Sequence, residues 1–436
     1  MSLTMRRSLV VTLYLFGYLV VCLSAGLSPL RDAIAGAWAP SDFATDFVVA
    51  THVWWSQPDP IDVATGNREA AALGAPGYRD IGVPFGAHPP PATLLVAALV
   101  PFGFRVACVA WLWLSLVSLA LVAWVAAKAA FPGGSEMPRA RRHALAAILF
   151  LALLIWPPFL HNVEKGQWSV VIAALVAAAF VATERGQHAR AAGLIVVAAS
   201  FKIFPILILF GLVNRSTWKA VAKGALITGA SVFALTTILL GVRPWMNFIT
   251  HMAKNTAGWQ TGPANTLSLW GALSRAFIGG PFACGLFPVP WGERVAVVAW
   301  LASAAWLLSR WAQGALRARP TTTTATSING NPGLYRVAIL AVILGPLAWS
   351  HTGLLLLLPA AYAHAQTPDW RGRLTLALGC VCVSLPRALF VQLAGTIPVS
   401  PARGLWLALP LLGAFTLYRA IAQTQKIPAN SSAGTL

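Results

Sequence analysis

Along this chain, apolar runs alternate with short polar or basic breaks. The runs lie near residues 9–27, 106–126, 144–160, 167–183, 191–203, 205–213, 224–241, 295–308, 335–349, 352–366, 374–391 and 404–421. Read as bilayer-crossing segments, they predict an all-α polytopic membrane protein of about 12 transmembrane helices, several of them short. Arg6 and Arg7 followed by the run from Leu9 to Leu27 are read as a retained first helix, too long for the apolar part of a cleaved signal. The apolar stretch from Ala92 to Phe104, led in by Pro89, Pro90 and Pro91, is read as a juxtamembrane helix in the outer interface.

Composition agrees with this pattern. Of 436 residues, 58% are hydrophobic and only 10% charged, too much apolar surface for one water-facing globule. No charge-rich stretch is long enough for a separate soluble domain, so residues 1–436 are read as a single transmembrane domain. The formal net charge of +19 comes from short basic clusters between apolar runs, which excludes nucleic acid as the expected partner and sets topology instead. With both termini cytoplasmic, the inner side holds 19 Lys or Arg against 3 acids and the outer side 12 against 9, as the positive-inside rule requires. The expected location is therefore the plasma (inner) membrane, multi-pass. Cys22, Cys108, Cys380 and Cys382 fall in apolar runs and Cys284 in a loop, which supports neither a disulfide framework nor a zinc site.

That topology leaves two large outer loops, 28–105 and 242–294, and they hold most of the informative polar residues. Residues 311–334 read as a flexible cytoplasmic connector and 427–436 as a disordered tail. In the first loop stand Asp42, Asp46, the run Asp59-Pro60-Ile61-Asp62, and His88 before the three prolines. An acid beside the membrane surface, flanked by apolar residues, is placed to act as a base; it is equally suited to cap a helix. Asp42 and Asp46 are four apart and share a helix face, so the residues alone leave open which of them is the base.

Further along, His161 to Trp168 form an outer loop whose Gly166-Gln167 is fitted to approach a ligand hydroxyl or to make a tight turn. Lys202, with Pro205 three residues later, interrupts an apolar stretch; at mid-membrane a lysine costs about 2.5–3.5 kcal/mol. Two short helices meeting there bring it to the outer surface of the bundle, where its ammonium wants an anion such as a lipid phosphate. Trp349-Ser350-His351 places a histidine between apolar helices, against a cavity. The second loop carries Asn265-Thr266-Leu267-Ser268 among Trp245, Trp259, Trp270 and Trp291, rings able to sit in the interface or to stack on a sugar or prenyl chain.

Taken in order, these features resemble glycosyltransferase family 87, polytopic enzymes of the C-type glycosyltransferase fold that use polyprenyl phosphate sugars. Asp46 with Asp59-Pro60-Ile61-Asp62, Pro89 to Pro91, Gly166-Gln167, Lys202-Ile203-Phe204-Pro205, Asn265 to Ser268 and Trp349-Ser350-His351 carry the resemblance. Two departures are Ile61 where the family has Tyr, and Ser268 one position beyond an Asn-x-Ser. The resemblance favours Asp46 over Asp42 as base, and implies a C-type architecture with Lys202, His351, His88, Gln167 and Asn265 binding the donor's phosphate or sugar.

The activity so implied is transfer of a hexose, mannose in the family's mycobacterial members, from a polyprenyl phosphate sugar donor. The acceptor would be a glycolipid or cell-envelope glycan at the outer face, the outcome inverting, with membrane lipid as surroundings and no cofactor or metal. The competing expectation is a transporter or flippase, since a broken helix around a cation also marks transporters.

Overall fold

The computed structural model describes Phe16, Cys22 and residues 27–34, 38–54, 63–74, 88–130, 138–254, 267–277, 291–317, 332–345, 348, 350–367, 369–385, 396–397 and 400–424. Most of the first expected span, Asp59 to Asp62, Asn265, Trp349, the middle of the 311–334 connector and the tail lie outside the described residues. Among these residues the structure is all-helical and contains no strand.

The described residues from 27 to 97 form four short helices: α1 (Ser28–Ile34), α2 (Ser41–Trp54), α3 (Val63–Ala72) and α4 (Pro90–Ala97). Next come α5 (Gly103–Ala130), α6 (Arg139–Leu154), α7 (Pro157–Lys165), α8 (Ser169–Glu184) and α9 (His188–Ala199). A 3-10 turn at Phe204–Ile208 leads into α10 (Leu209–Leu212), α11 (Trp218–Leu240) and α12 (Arg243–Lys254). The remainder is α13 (Leu269–Phe277), α14 (Gly292–Arg317), α15 (Pro332–Leu344), a 3-10 helix Ser350–Leu356, α16 (Leu357–Gln366), α17 (Trp370–Val383) and α18 (Pro401–Thr424).

Four of the described helical stretches are long and apolar enough to cross a membrane: Pro90–Ala130, Trp218–Leu240, Gly292–Gln313 and Ala402–Gln423. A fifth is available if α6 and α7, bent 59° apart, count as one span. This is fewer than the dozen apolar runs predict, and proline is one physical reason. The 144–160 run breaks at Trp156, where Pro157 and Pro158 open α7 in a new direction. The 191–203 run ends its helix at Ala199, and Pro205 starts a tighter turn. α8, α9 and α15 are apolar but short.

The core is built on α5, α8, α9, α15 and α16, whose facing side chains are buried together. α9 and α11 approach closely because Gly224 sits against the Ala189 backbone, where any side chain would collide. On the opposite surfaces, apolar residues point outward: Val106, Val109, Trp113 and Val117 along α5, and Leu226, Ile227, Phe233, Leu235, Ile238 and Leu239 along α11. Such continuous apolar stripes suit acyl chains and not water. The segment expected in the interface, Ala92 to Phe104, instead begins as α4, whose Pro90, Pro91, Ala92, Thr93, Val96 and Ala97 are buried. α4 packs against α2, and this contact sets up the site.

Candidate functional site

Asp42 and Asp46 lie one turn apart near the start of α2, and both are buried, at 6% and 5% exposure. They look into two different sets of donors. Asp46 accepts from Nδ1 of His88, at 2.9 Å to Oδ1 and 3.0 Å to Oδ2, and from Nε1 of Trp168 at 3.0 Å to Oδ2. Asp42 accepts from the Ser41 hydroxyl at 3.1 Å and from the side-chain amide of Gln167.

The loop expected at His161–Trp168 is mostly helix: α7 runs to Lys165 and closes on Gly166, whose φ of 69° is left-handed. The Gly166 and Gln167 amides donate to the Val163 and Asn162 carbonyls at 3.1 and 3.0 Å, the double bond of a Schellman cap. The Asn162 side chain accepts from the Val170 amide at 3.2 Å and so ties the turn to α8. This rigid junction aims two successive side chains into the site. Gln167 donates to Asp42 and accepts at its Oε1 from Lys202 Nζ at 2.6 Å. Trp168 holds Asp46 and stacks on Phe201 with ring centroids 5.0 Å apart.

Lys202 therefore sits past the end of α9, drawn toward the start of α2 by the Gln167 bridge. Its second contact is Nε2 of His351, which accepts at 3.2 Å. His351 is fully buried, and its ring lies 5.1 Å from that of His161, which bonds the Ser350 hydroxyl at 2.5 Å. The Leu267 amide donates to the Ala348 carbonyl at 3.1 Å, so the middle of the second large loop is pinned just ahead of this histidine.

The arrangement is thus a pair of carboxylates, one held by a histidine and a tryptophan, the other linked through an amide to an ammonium and a second histidine. A cation held by neutral acceptors is suited to receive a phosphate, and a buried carboxylate in the same cluster to take a proton. A model of glycosyltransferase family 87 matches residues 87–334, more than half of the chain. The chain belongs to glycosyltransferase family 87. No curated protein and no solved structure matches it.

As a member of that family, this chain is a membrane glycosyltransferase, which requires a donor and an acceptor. The matched stretch includes His88, Gln167 and Lys202, whereas Asp42, Asp46 and His351 lie beyond its two ends. The fold of this glycosyltransferase brings the three outlying residues onto the matched ones. His88, expected on the donor side, is bonded to Asp46. Asn265 lies outside the described residues.

Spacing alone did not reveal that Trp168 meets Asp46 across 122 residues, or that His161 meets Ser350 across 189. The only local sign was that Trp168 directly follows Gly166-Gln167. Burial pushes the Asp42 carboxyl above its ordinary range; Lys165, the Gln167 bond, His88 and Lys202 oppose the shift without reversing it. Among the described residues no group of three or more His, Cys, Asp or Glu is disposed to hold a metal ion.

Proposed function

We propose that this glycosyltransferase moves a hexose, mannose by analogy with the family's mycobacterial members, from a polyprenyl phosphate sugar to a glycolipid or cell-envelope glycan. The reaction takes place at the outer face of the plasma membrane, with both termini cytoplasmic. The donor phosphate lies against Lys202 and His351. Asp46 takes the proton of the acceptor hydroxyl as that oxygen attacks the anomeric carbon. The bond from that carbon to the phosphate oxygen breaks, its electron pair leaves on the polyprenyl phosphate, and the proton resides on Asp46. One displacement inverts the anomeric centre, and the Lys202 ammonium neutralises the leaving group.

One observation carries this reading: the carboxylate of Asp46 and the half-buried ammonium of Lys202 belong to one cluster, Trp168 holding the first and packing on Phe201, and its neighbour Gln167 holding the second. A base and a phosphate-binding cation must flank one anomeric carbon, and two side chains that share the successive anchors Gln167 and Trp168 support that arrangement.

The test is turnover by purified protein in detergent micelles, given a panel of polyprenyl phosphate sugars with native membrane lipid extract as acceptor. Expected are release of polyprenyl phosphate from one donor, a product of inverted configuration, and loss of both on Asp46→Asn. Full turnover by Asp46→Asn removes Asp46 from the mechanism; a product of retained configuration removes the single displacement.

A further inference from the structure

His88 is the other half of the Asp46 site. Its backbone is restricted locally before folding brings it to Asp46. A residue preceding proline is confined to extended backbone, and His88 precedes three; Pro89 is itself extended, at φ −59° and ψ 152°, and Pro90 opens α4. With α4 buried against α2, the imidazole has only its own two torsions left to set. It uses them to place Nδ1 nearly equidistant from both oxygens of Asp46, at 2.9 and 3.0 Å, with side-chain exposures of 7% and 6% for the pair. A nitrogen lone pair aimed at a carboxylate would be repelled, so this nitrogen carries the proton and donates it.

The consequence is a difference between the two oxygens of Asp46. Oδ2 receives both Nδ1 of His88 and Nε1 of Trp168, whereas Oδ1 receives His88 alone. Each carboxylate oxygen accepts about two hydrogen bonds, so Oδ2 is filled and Oδ1 keeps a lone pair open.

Building on the reading of Asp46 as base, we propose that His88 is its positioning residue: Nδ1 fixes the carboxylate so that Oδ1, the oxygen left open, faces the acceptor hydroxyl. His88 itself touches neither sugar nor phosphate. In the transfer step the acceptor proton goes to Oδ1, while the Nδ1 and Nε1 donors stay on Oδ2 and hold the plane of the carboxyl group. An unclamped carboxylate rotates about its last torsion and presents the open oxygen only part of the time.

The test uses three substitutions in the full-length protein, assayed for turnover and donor KM and for thermal midpoint in micelles. The side-chain nitrogen of asparagine stands where Nδ1 does, and that of glutamine where Nε2 does. His88→Ala should lower kcat by about 10²-fold, the usual scale for a misaligned acid–base group, and leave donor KM unchanged. His88→Asn should restore most of the rate, and His88→Gln should not.

Wild-type kcat in His88→Ala overturns the proposal, as does rescue by glutamine in place of asparagine, since the reactive nitrogen would then be Nε2. A rate loss matched only by a fall in thermal midpoint, equal for asparagine and glutamine, also overturns it, because His88 would then act through stability alone. Asp46→Asn, run alongside, separates the two levels. If it retains turnover, the base assignment fails; if it is inactive while the His88 variants break the pattern, only this proposal fails.

Discussion

Nζ of Lys202 stands 3.2 Å from Nε2 of His351, across 149 residues of sequence. An ammonium has no lone pair, so the imidazole accepts here and its Nε2 is unprotonated at rest. With Gln167 taking a second proton at 2.6 Å, two of the three ammonium N–H groups are engaged among the described residues. The third is available to a phosphate oxygen.

Removing this cation should therefore act on donor binding. Lys202→Met should raise donor KM by about 10- to 100-fold, the value of a charge-assisted hydrogen bond of roughly 1.5–3 kcal/mol. His351→Ala should raise it less, because it frees a proton of Lys202 instead of deleting one. Titration of each variant with polyprenyl phosphate, which lacks the sugar, checks this; equal affinity for wild type and Lys202→Met would take the phosphate away from Lys202.

Trp168 gives a second expectation. Trp168→Phe keeps a ring to stack on Phe201, now 5.0 Å away, and deletes only the Nε1 donor to Asp46. Turnover should fall while donor affinity holds, and the thermal midpoint should drop by only a few degrees, since one hydrogen bond of about 1 kcal/mol is lost. Unchanged turnover would show that His88 alone suffices to hold the carboxylate.

These two residues also show what the sequence could and could not disclose. Periodicity located α5, α11, α14 and α18, whose apolar runs stay helical over 18 residues or more, Pro410 within α18 included. It did not disclose the bend at Trp156, where apolar character continues but Pro157 and Pro158 turn the chain. Lys202 was legible as a chemical anomaly, a cation in an apolar stretch. Its Gln167 partner was legible only as an amide after a glycine, and the Trp168 contact with Asp46 not at all. Pairings of that range are decided by how helices dock, and spacing along the chain carries no record of docking.

Asp42 makes the pH expectation. Burial, the dominant cause, holds its carboxyl above the ordinary 3.8, so the folded chain binds this proton more tightly than the unfolded one. Stability from that proton is complete below the unfolded value and is lost as pH rises through the folded value. Asp42→Asn has no proton to lose there. Its thermal midpoint should thus gain on wild type as pH is raised from the acid side toward neutrality. A difference that stays flat, or that grows in wild type's favour, would contradict the burial argument.

Gly166 and Gly186 allow backbone strain to be separated from packing. Both follow a helix, α7 and α8, with left-handed φ values of 69° and 71°, and both bond back with the same cap geometry. A Cβ on Gly186 would meet nothing within 4 Å, whereas one on Gly166 would stand 2.5 Å from Cβ of Phe43 and 2.9 Å from Cβ of Pro40. Gly186→Ala should cost only the left-handed penalty, about 1–2 kcal/mol. Gly166→Ala should cost that and more, because it pushes the start of α2 away from the Gln167 turn. Asp42 is on that first turn, so the same substitution should weaken donor binding, while Gly186→Ala leaves it untouched. Thermal midpoints and donor KM for the two variants decide the point: equal losses in both would mean that the closeness of Gly166 to Phe43 has no part in assembling the site.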